Sequence, residues 1–393
     1  MVASRFWGLL NVARAILLVA GLIVSVAVFA LAIDVPALRS LYSFESGFVP
    51  GHWVALQLNH ASGKEGRTCL FVGTSVVREG FDSDVLSEAA GGEFEVTNIA
   101  TTAPLASTGV LELQAQIARD RGVKFECVVL GFNSHYLHDL SDVSYELLAT
   151  NYLSQLPIWS LLQLSNLDQV MPQFPEALAR SLYPLGRHSV ILQRRLRRAV
   201  SLMHQRTLGR LPLAEFEVLK GEFTPAIQFM YDGQPSVYKA AVELRREEIE
   251  SDNLAAPSLY DGAAPRAAYR RTIHLLSEIT DNLIVLSMPL THVYEPVEEA
   301  ARPSFEKASA GLPIDAFVDC RFPLGDEESV FHDSGHLNAA GRQWLSEEFG
   351  IVIRGLIDGQ ATISSLCITK QYPRHSSVSN PITPMRSIAA IAR

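Results

Sequence analysis

An aspartate three residues ahead of a histidine, Asp333 and His336 in Phe331-His-Asp-Ser-Gly-His-Leu-Asn-Ala-Ala-Gly341, is a pairing suited to general-base chemistry. A carboxylate at that spacing can fix one tautomer of the imidazole and leave the other ring nitrogen to accept a proton. The chain also offers a hydroxyl, Ser75 in Gly73-Thr-Ser75, and an amide, Asn133 in Gly131-Phe-Asn133. A serine hydroxyl is a weak nucleophile until a base takes its proton. An amide N–H can hold the oxyanion that forms when a carbonyl is attacked, and such a donor is worth about 3–4 kcal/mol of barrier. Those parts together are what acyl transfer through a serine ester requires. Each has a plainer job when taken alone. Ser75 can cap a helix, Asn133 can sit in a turn, and Asp333 with His336 can belong to a surface loop before a helix capped by Asn338.

The elements around these residues must bring them together. Cys69 to Gly73 is a short apolar run ending in glycine, read as a buried strand. Asp82 or Ser83 caps a helix to about Ala90, and Phe94 to Ile99 gives a second strand. Ser107 or Thr108 caps a helix with Val110, Leu111, Leu113, Ile117 and Ala118 on its apolar face, and Phe125 to Leu130 makes a third strand before Gly131. The alternation resumes with a helix over Pro265 to Thr280, strands at Asn282 to Ser287 and Ala316 to Asp319, and a helix from about Ala339 to Ile357. This order predicts an α/β domain built on a central parallel sheet, with ligands taken at the carboxyl ends of the strands. Ser75 and Asn133 both follow such ends.

The domain organisation read from the chain has five parts. Residues 1–34 form an N-terminal membrane anchor and 35–66 a glycine-containing connector. Residues 67–358 form the α/β domain, with a helix-rich insertion at about 137–264 between the third and fourth strands. Residues 359–393, with their prolines and serines, read as a mostly disordered tail. The anchor rests on Ala15 to Ile33, nineteen residues without a charge, close to one bilayer core in helical length. Arg5 and Arg14 before it and Asp34 after it place the N-terminus in the cytoplasm and the domain outside. Ala30-Leu-Ala32 also offers a cleavage site, and a cleaved signal would export the domain equally.

The formal charge of -9 argues against nucleic-acid binding. Within the insertion, Leu192, Leu196, Ala199 and Met203 line one helix face opposite Arg194, Arg195, Arg197 and Arg198. That pattern suits an anionic membrane or polymer, or a plain solvated face. Cys69, Cys127, Cys320 and Cys367 show no metal-site spacing. Cys69 and Cys127 lie in apolar runs, where a buried free thiol is the expected state. His135 and His138 with Asp139 lack a third ligand at suitable spacing, so no metal is expected there. His292, after Pro289, reads as a supporting or structural histidine.

As an ordered set the blocks resemble the SGNH (GDSL-type) hydrolase and acyltransferase superfamily. Val72-Gly-Thr-Ser-Val-Val-Arg-Glu-Gly80 is similar to its first block, with Thr74 in place of the usual aspartate. Asn98-Ile-Ala-Thr-Thr-Ala103 is similar to the second, with alanine at both glycine positions. Gly131-Phe-Asn133 and Asp333-x-x-His336 match the last two. The resemblance covers residues 68–136 and 280–350. It implies a flavodoxin-like three-layer sandwich, with Ser75 as nucleophile, His336 as base and Asp333 as its orienter. It further implies an oxyanion hole from Asn133 and the backbone N–H groups of Ser75 and Ala103, supporting roles for Gly73 and Gly131, and no cofactor.

An anchor, an exported domain and a large insertion resemble proteins that acylate bacterial surface polysaccharides. The implied partners are a polysaccharide, an acyl donor and a multi-spanning membrane acyltransferase, at the cell inner membrane with a periplasmic or extracellular main domain. An esterase, and a non-catalytic scaffold or glycan-binding component of an export complex, stay open as alternatives.

Overall fold

Three short apolar runs form the middle of the molecule. The computed structural model describes residues 50–62, 67–92, 94–101, 107–138, 160, 163–164, 235–321, 327–358 and 368–371. In it β1 (Arg67–Val72), β3 (Cys127–Gly131) and β4 (Leu283–Ser287) are buried almost throughout. A strand covered on both faces needs apolar residues at every position rather than at alternate ones, and Cys-Val-Val-Leu-Gly and Leu-Ile-Val-Leu-Ser supply them. With β2 (Phe94–Asn98) and β5 (Ala316–Asp319) they make five parallel strands in the order β2-β1-β3-β4-β5. A sixth strand, β6 (Ile368–Gln371), pairs antiparallel with β5, so part of the stretch read as mostly disordered is an edge strand.

Helices cover both faces. Leu70 and Val72 of β1 point to one face, where they meet α1 (Pro50–Ala61), α4 (Ser107–Asp120), α6 (Ala263–Ser277) and α7 (Glu295–Ser309). Cys69 and Phe71 point to the other, against α2 (Ser75–Gly80), α3 (Ser83–Ala89) and α9 (Ala339–Ile357). The alternation follows from the two-residue period of a strand. On the second face Phe71, Phe81 and Phe349 form an aromatic cluster, Phe71 meeting Phe81 edge-to-face at 5.0 Å between centroids and Phe81 lying tilted against Phe349 at 5.4 Å.

Helix α7 is absent from the sequence reading. Its prolines, Pro296 and Pro303, look like breakers, yet Pro296 lies in the first turn, where a missing N–H costs nothing. Two further α-helices are α5 (Tyr238–Ser251) and the single-turn α8 (Glu327–Val330). Among the described residues no helix is long and apolar enough to cross a membrane. The apolar run Ala15 to Ile33 lies outside them, as does the insertion apart from its last part and a few residues; Leu192, Leu196, Ala199 and Met203 also lie outside.

The thiols of Cys69 and Cys127 are not free. The two residues stand directly opposite each other in the β1–β3 ladder, 4.7 Å apart at Cα, and are joined as a disulfide. The expectation of buried thiols fails because parallel register aligns two cysteines on the same face at bridging distance, which neither strand alone reveals. Cys320 is disulfide-bonded as well.

Candidate active site

The connections leaving β1 and β3 run in opposite directions, one out to β2 and the other across to β4. Such a reversal opens a crevice at the carboxyl ends of the two strands. Ser75 follows β1 there and Asn133 follows β3. Ser75 is the first residue of α2, after Thr74 in extended conformation at the cap position. Two glycines let α2 sit this low. A Cβ on Gly73 would lie 2.3 Å from Val77 Cγ2, and one on Gly131 would lie 2.0 Å from the same atom. Val77 therefore fills space that any side chain on either strand end would take, which gives both glycines a reason in close approach.

His336 arrives from the far end of the chain on a turn whose own carboxylate helps to shape it. An antiparallel bridge between Phe331 and Leu337 closes the loop, and His332 N–H donates to His336 O at 2.8 Å. Asp333 Oδ1 accepts the N–H groups of Gly335 and His336, both at 2.8 Å. The Asp333 carboxylate also meets His336 Nδ1, at 2.9 Å from Oδ2 and 3.1 Å from Oδ1. With Nδ1 facing a carboxylate, the neutral ring carries its proton there and Nε2 is the acceptor. Nε2 lies 2.9 Å from Ser75 Oγ, across 261 residues of sequence. Burial pushes the Asp333 carboxyl upward, but the bond and charge of His336 and the two backbone N–H donors outweigh it. They hold the group below its ordinary value. Ser75, His336 and Asp333 are thus brought together in one unbroken chain of hydrogen bonds.

Asn133 is fully buried. Its Oδ1 accepts the N–H of Met288 at 2.8 Å, which fixes the amide, and its Nδ2 is buried with no hydrogen-bond partner among the described residues. A buried donor left unpaired is uncommon and costly, and it suits a group that meets its acceptor only during reaction. Asn98, at the end of β2, is held in the same way: Oδ1 accepts Ala100 N–H at 2.9 Å and Nδ2 has no partner among the described residues. The second block therefore keeps its turn with alanine at position 100. Ala103 lies outside the described residues. The N–H of Ser75 belongs to the first turn of α2, whose N–H groups have no acceptor within the helix.

Tyr136, Glu298, Arg321 and Gln114, which help to build the site, had no place in the sequence reading. Thr74 Oγ1 and Tyr136 OH are 2.9 Å apart and buried, linking the turn after β1 to the turn after β3. Glu298 reaches from α7 to the same turn, accepting the N–H of Ser134 at 3.1 Å and of His135 at 3.0 Å. It also meets His135 Nδ1, and Arg321 Nη1 at 3.0 Å. Burial alone would raise the Glu298 carboxyl, but His135 and Arg321 lower it to about 2. Gln114 of α4 bonds the backbone of Gly73. Glu298 and Gln114 share a legible signal. Each is a polar residue on the apolar stripe of its helix, Glu298 beside Ala301 and Phe305, Gln114 beside Val110 and Ala118.

The other histidines singled out in the sequence, His135, His138 and His292, each meet a neighbouring side chain. His135 stacks on Tyr294 at 5.4 Å and pairs with Glu298. His138 meets the edge of Tyr260 at 5.6 Å, and Asp139 lies outside the described residues. Among the described residues no group of three or more His, Cys, Asp or Glu could hold a metal ion. His292 is largely exposed, and both its N–H and its ring meet Glu327 Oε1. Its neighbour Thr291 donates to Ser334 O at 2.6 Å, which ties that loop to the Asp333–His336 turn.

In comparisons with known proteins, no family model matches the chain and no curated protein matches it.

Proposed function

We propose that the chain is an SGNH-type enzyme that transfers or removes an acyl group, with acetyl the favoured group, at ester bonds on an extracytoplasmic polysaccharide. The observation that carries this reading is the chain Asp333–His336–Ser75, with 2.9 Å at each of its two links. His336 Nε2 takes the proton of Ser75 Oγ as that oxygen attacks the acyl carbonyl. The carbonyl oxygen becomes an oxyanion facing the Asn133 Nδ2 donor, with the Ser75 and Ala103 N–H groups completing the hole. Collapse breaks the bond to the leaving alcohol, which receives the proton from His336, and leaves an ester on Ser75. A sugar hydroxyl or water then attacks that ester by the reverse sequence. The first acceptor makes the protein a transferase, the second an esterase.

Strand order 2-1-3-4-5 with helices on both faces supports a flavodoxin-like sandwich with the insertion between β3 and β4. The apolar run Ala15 to Ile33 supports an inner-membrane anchor, and the Cys69–Cys127 disulfide suits an oxidising compartment outside the cytoplasm. A multi-spanning acyltransferase is the partner this reading calls for. The test is covalent. A fluorophosphonate probe is expected to label the peptide that contains Ser75 and to leave Ser75→Ala unlabelled. A folded wild-type protein that stays unlabelled would replace the enzyme with a non-catalytic scaffold.

A further inference from the structure

Gln114 touches neither Ser75 nor His336, and the proton path above does not pass through it. It is nevertheless fully buried, at 0% exposure, on a face of α4 otherwise made of Val110, Leu111 and Ala118. Its amide meets Gly73 as a neighbouring strand would. Oε1 accepts the Gly73 N–H at 3.1 Å, and Nε2 donates to Gly73 O at 2.9 Å. Nε2 also donates to Thr101 Oγ1 at 2.9 Å. Only one orientation of the amide satisfies all three bonds.

The place of these bonds gives them their significance. The β1–β2 ladder ends at Phe71 and Asn98. Beyond it, Ile99 N–H donates to Phe71 O at 2.9 Å and Thr101 N–H to Gly73 O at 3.1 Å. Gly73 immediately precedes Thr74, the cap of α2, and Thr101 begins the rest of the second block. Gln114 thus clamps the last residue before the nucleophile turn to the loop that leads toward position 103.

We propose that Gln114 is a positioning residue for acyl transfer. It fixes the peptide planes on both sides of Gly73, hence the direction in which Ser75 Oγ leaves α2 toward His336, and keeps the second-block loop in register with that direction. The inference rests on Ser75 being the nucleophile. Its chemical basis is that a displacement of about 1 Å at a reacting atom can cost on the order of a hundredfold in rate.

The test uses the full chain and para-nitrophenyl acetate as acyl donor, with fluorophosphonate labelling beside it. Gln114→Met keeps the length of the side chain and removes the amide. It is expected to lower kcat and the labelling rate together by about 10- to 100-fold, with KM changed by less than about threefold. Thr101→Val removes one bond of the three and is expected to give a smaller loss of the same kind. Where Gln114→Met fails to fold, Thr101→Val and Gln114→Glu, which keeps the acceptor for Gly73 N–H, carry the test. Labelling at the wild-type rate per folded molecule, even with a lowered Tm, would reduce Gln114 to a structural role and overturn the inference. Absence of Ser75-dependent labelling in the wild type is a separate outcome, which would overturn the reading of the site and this inference with it.

Discussion

The two halves of the site are held by different kinds of interaction. The Asp333–His336 turn is a local structure: one carboxylate accepts two N–H groups two and three residues ahead and pairs with the ring it orients. The Ser75 turn has local backbone bonds to Thr74 O but no local side-chain bond to hold it. Thr74 makes no side-chain cap bond to α2, and the position of Ser75 depends on Tyr136, Gln114 and the packing of Val77 over Gly73 and Gly131. One half is charged and short-range, the other neutral and long-range. The Asp333 turn keeps its internal geometry through its own carboxylate, although Thr291 and Val237 also tie it to neighbouring loops, whereas Ser75 depends on side chains that arrive from other elements.

Perturbations of the two halves should therefore differ in kind. The largest loss is expected from Asp333→Asn, which leaves a side-chain oxygen for the turn but spoils the tautomer of His336. Turnover is expected to fall by about 10⁴-fold with the fold intact, measured with the same acyl ester. The variant also carries a pH signature. The Asp333 carboxyl is held below its ordinary value of 3.8, so its contribution to stability is present above that value. It is lost as pH falls through the lower folded-state value. Denaturant unfolding from pH 6 down to pH 3 should show a shallower acid decline in the variant, and an unchanged decline would remove Asp333 from the charged half of the comparison.

Next in size is Gly131→Ala, directed at the neutral half. The new methyl would lie 2.0 Å from Val77 Cγ2, so Val77 must turn or α2 must shift. Overpacking of this kind costs about 1–3 kcal/mol. A fall in kcat should accompany it, because Val77 is two residues beyond Ser75. Adding Val77→Ala should recover part of both losses, with a coupling of about 0.5–3 kcal/mol between the two sites. Strict additivity would show that Val77 is not the contact that matters.

The smallest effect is expected from Tyr136→Phe, which removes only the hydroxyl bonded to Thr74. About 1 kcal/mol of stability should go with it. The rate should drop by less than about tenfold, since Gln114 and the glycines still place the turn. A loss as large as that of Asp333→Asn would mean that a single neutral bond sets the position of Ser75, and the contrast between the halves would need redrawing.

The same contrast explains what could be read early. The Asp333–His336 turn, the glycines at the strand ends and the strands themselves depend on short-range features such as spacing, apolar runs and capping residues, all visible along the chain. Asn338 is one such case, and its side chain does accept Gly341 N–H at 3.0 Å as a helix cap. Gln114 and Glu298 show only as polar residues on apolar stripes, and what each one holds depends on partners distant in sequence. Helix α7 was hidden by its prolines, and the Cys69–Cys127 bridge by the separation of its ends.

By itself, then, the amino-acid sequence determined the alternation of buried strands and capped helices, and the identity of Ser75, Asn133, Asp333 and His336 as candidates. Periodicity, glycine placement and side-chain chemistry are properties of neighbouring residues. Only the tertiary structure decided that Ser75 Oγ stands 2.9 Å from His336 Nε2, that Cys69 faces Cys127, and that Gln114 and Glu298 hold the loops between. Those outcomes depend on strand order and register, which are set by how whole faces bury against one another rather than by any local stretch of chain.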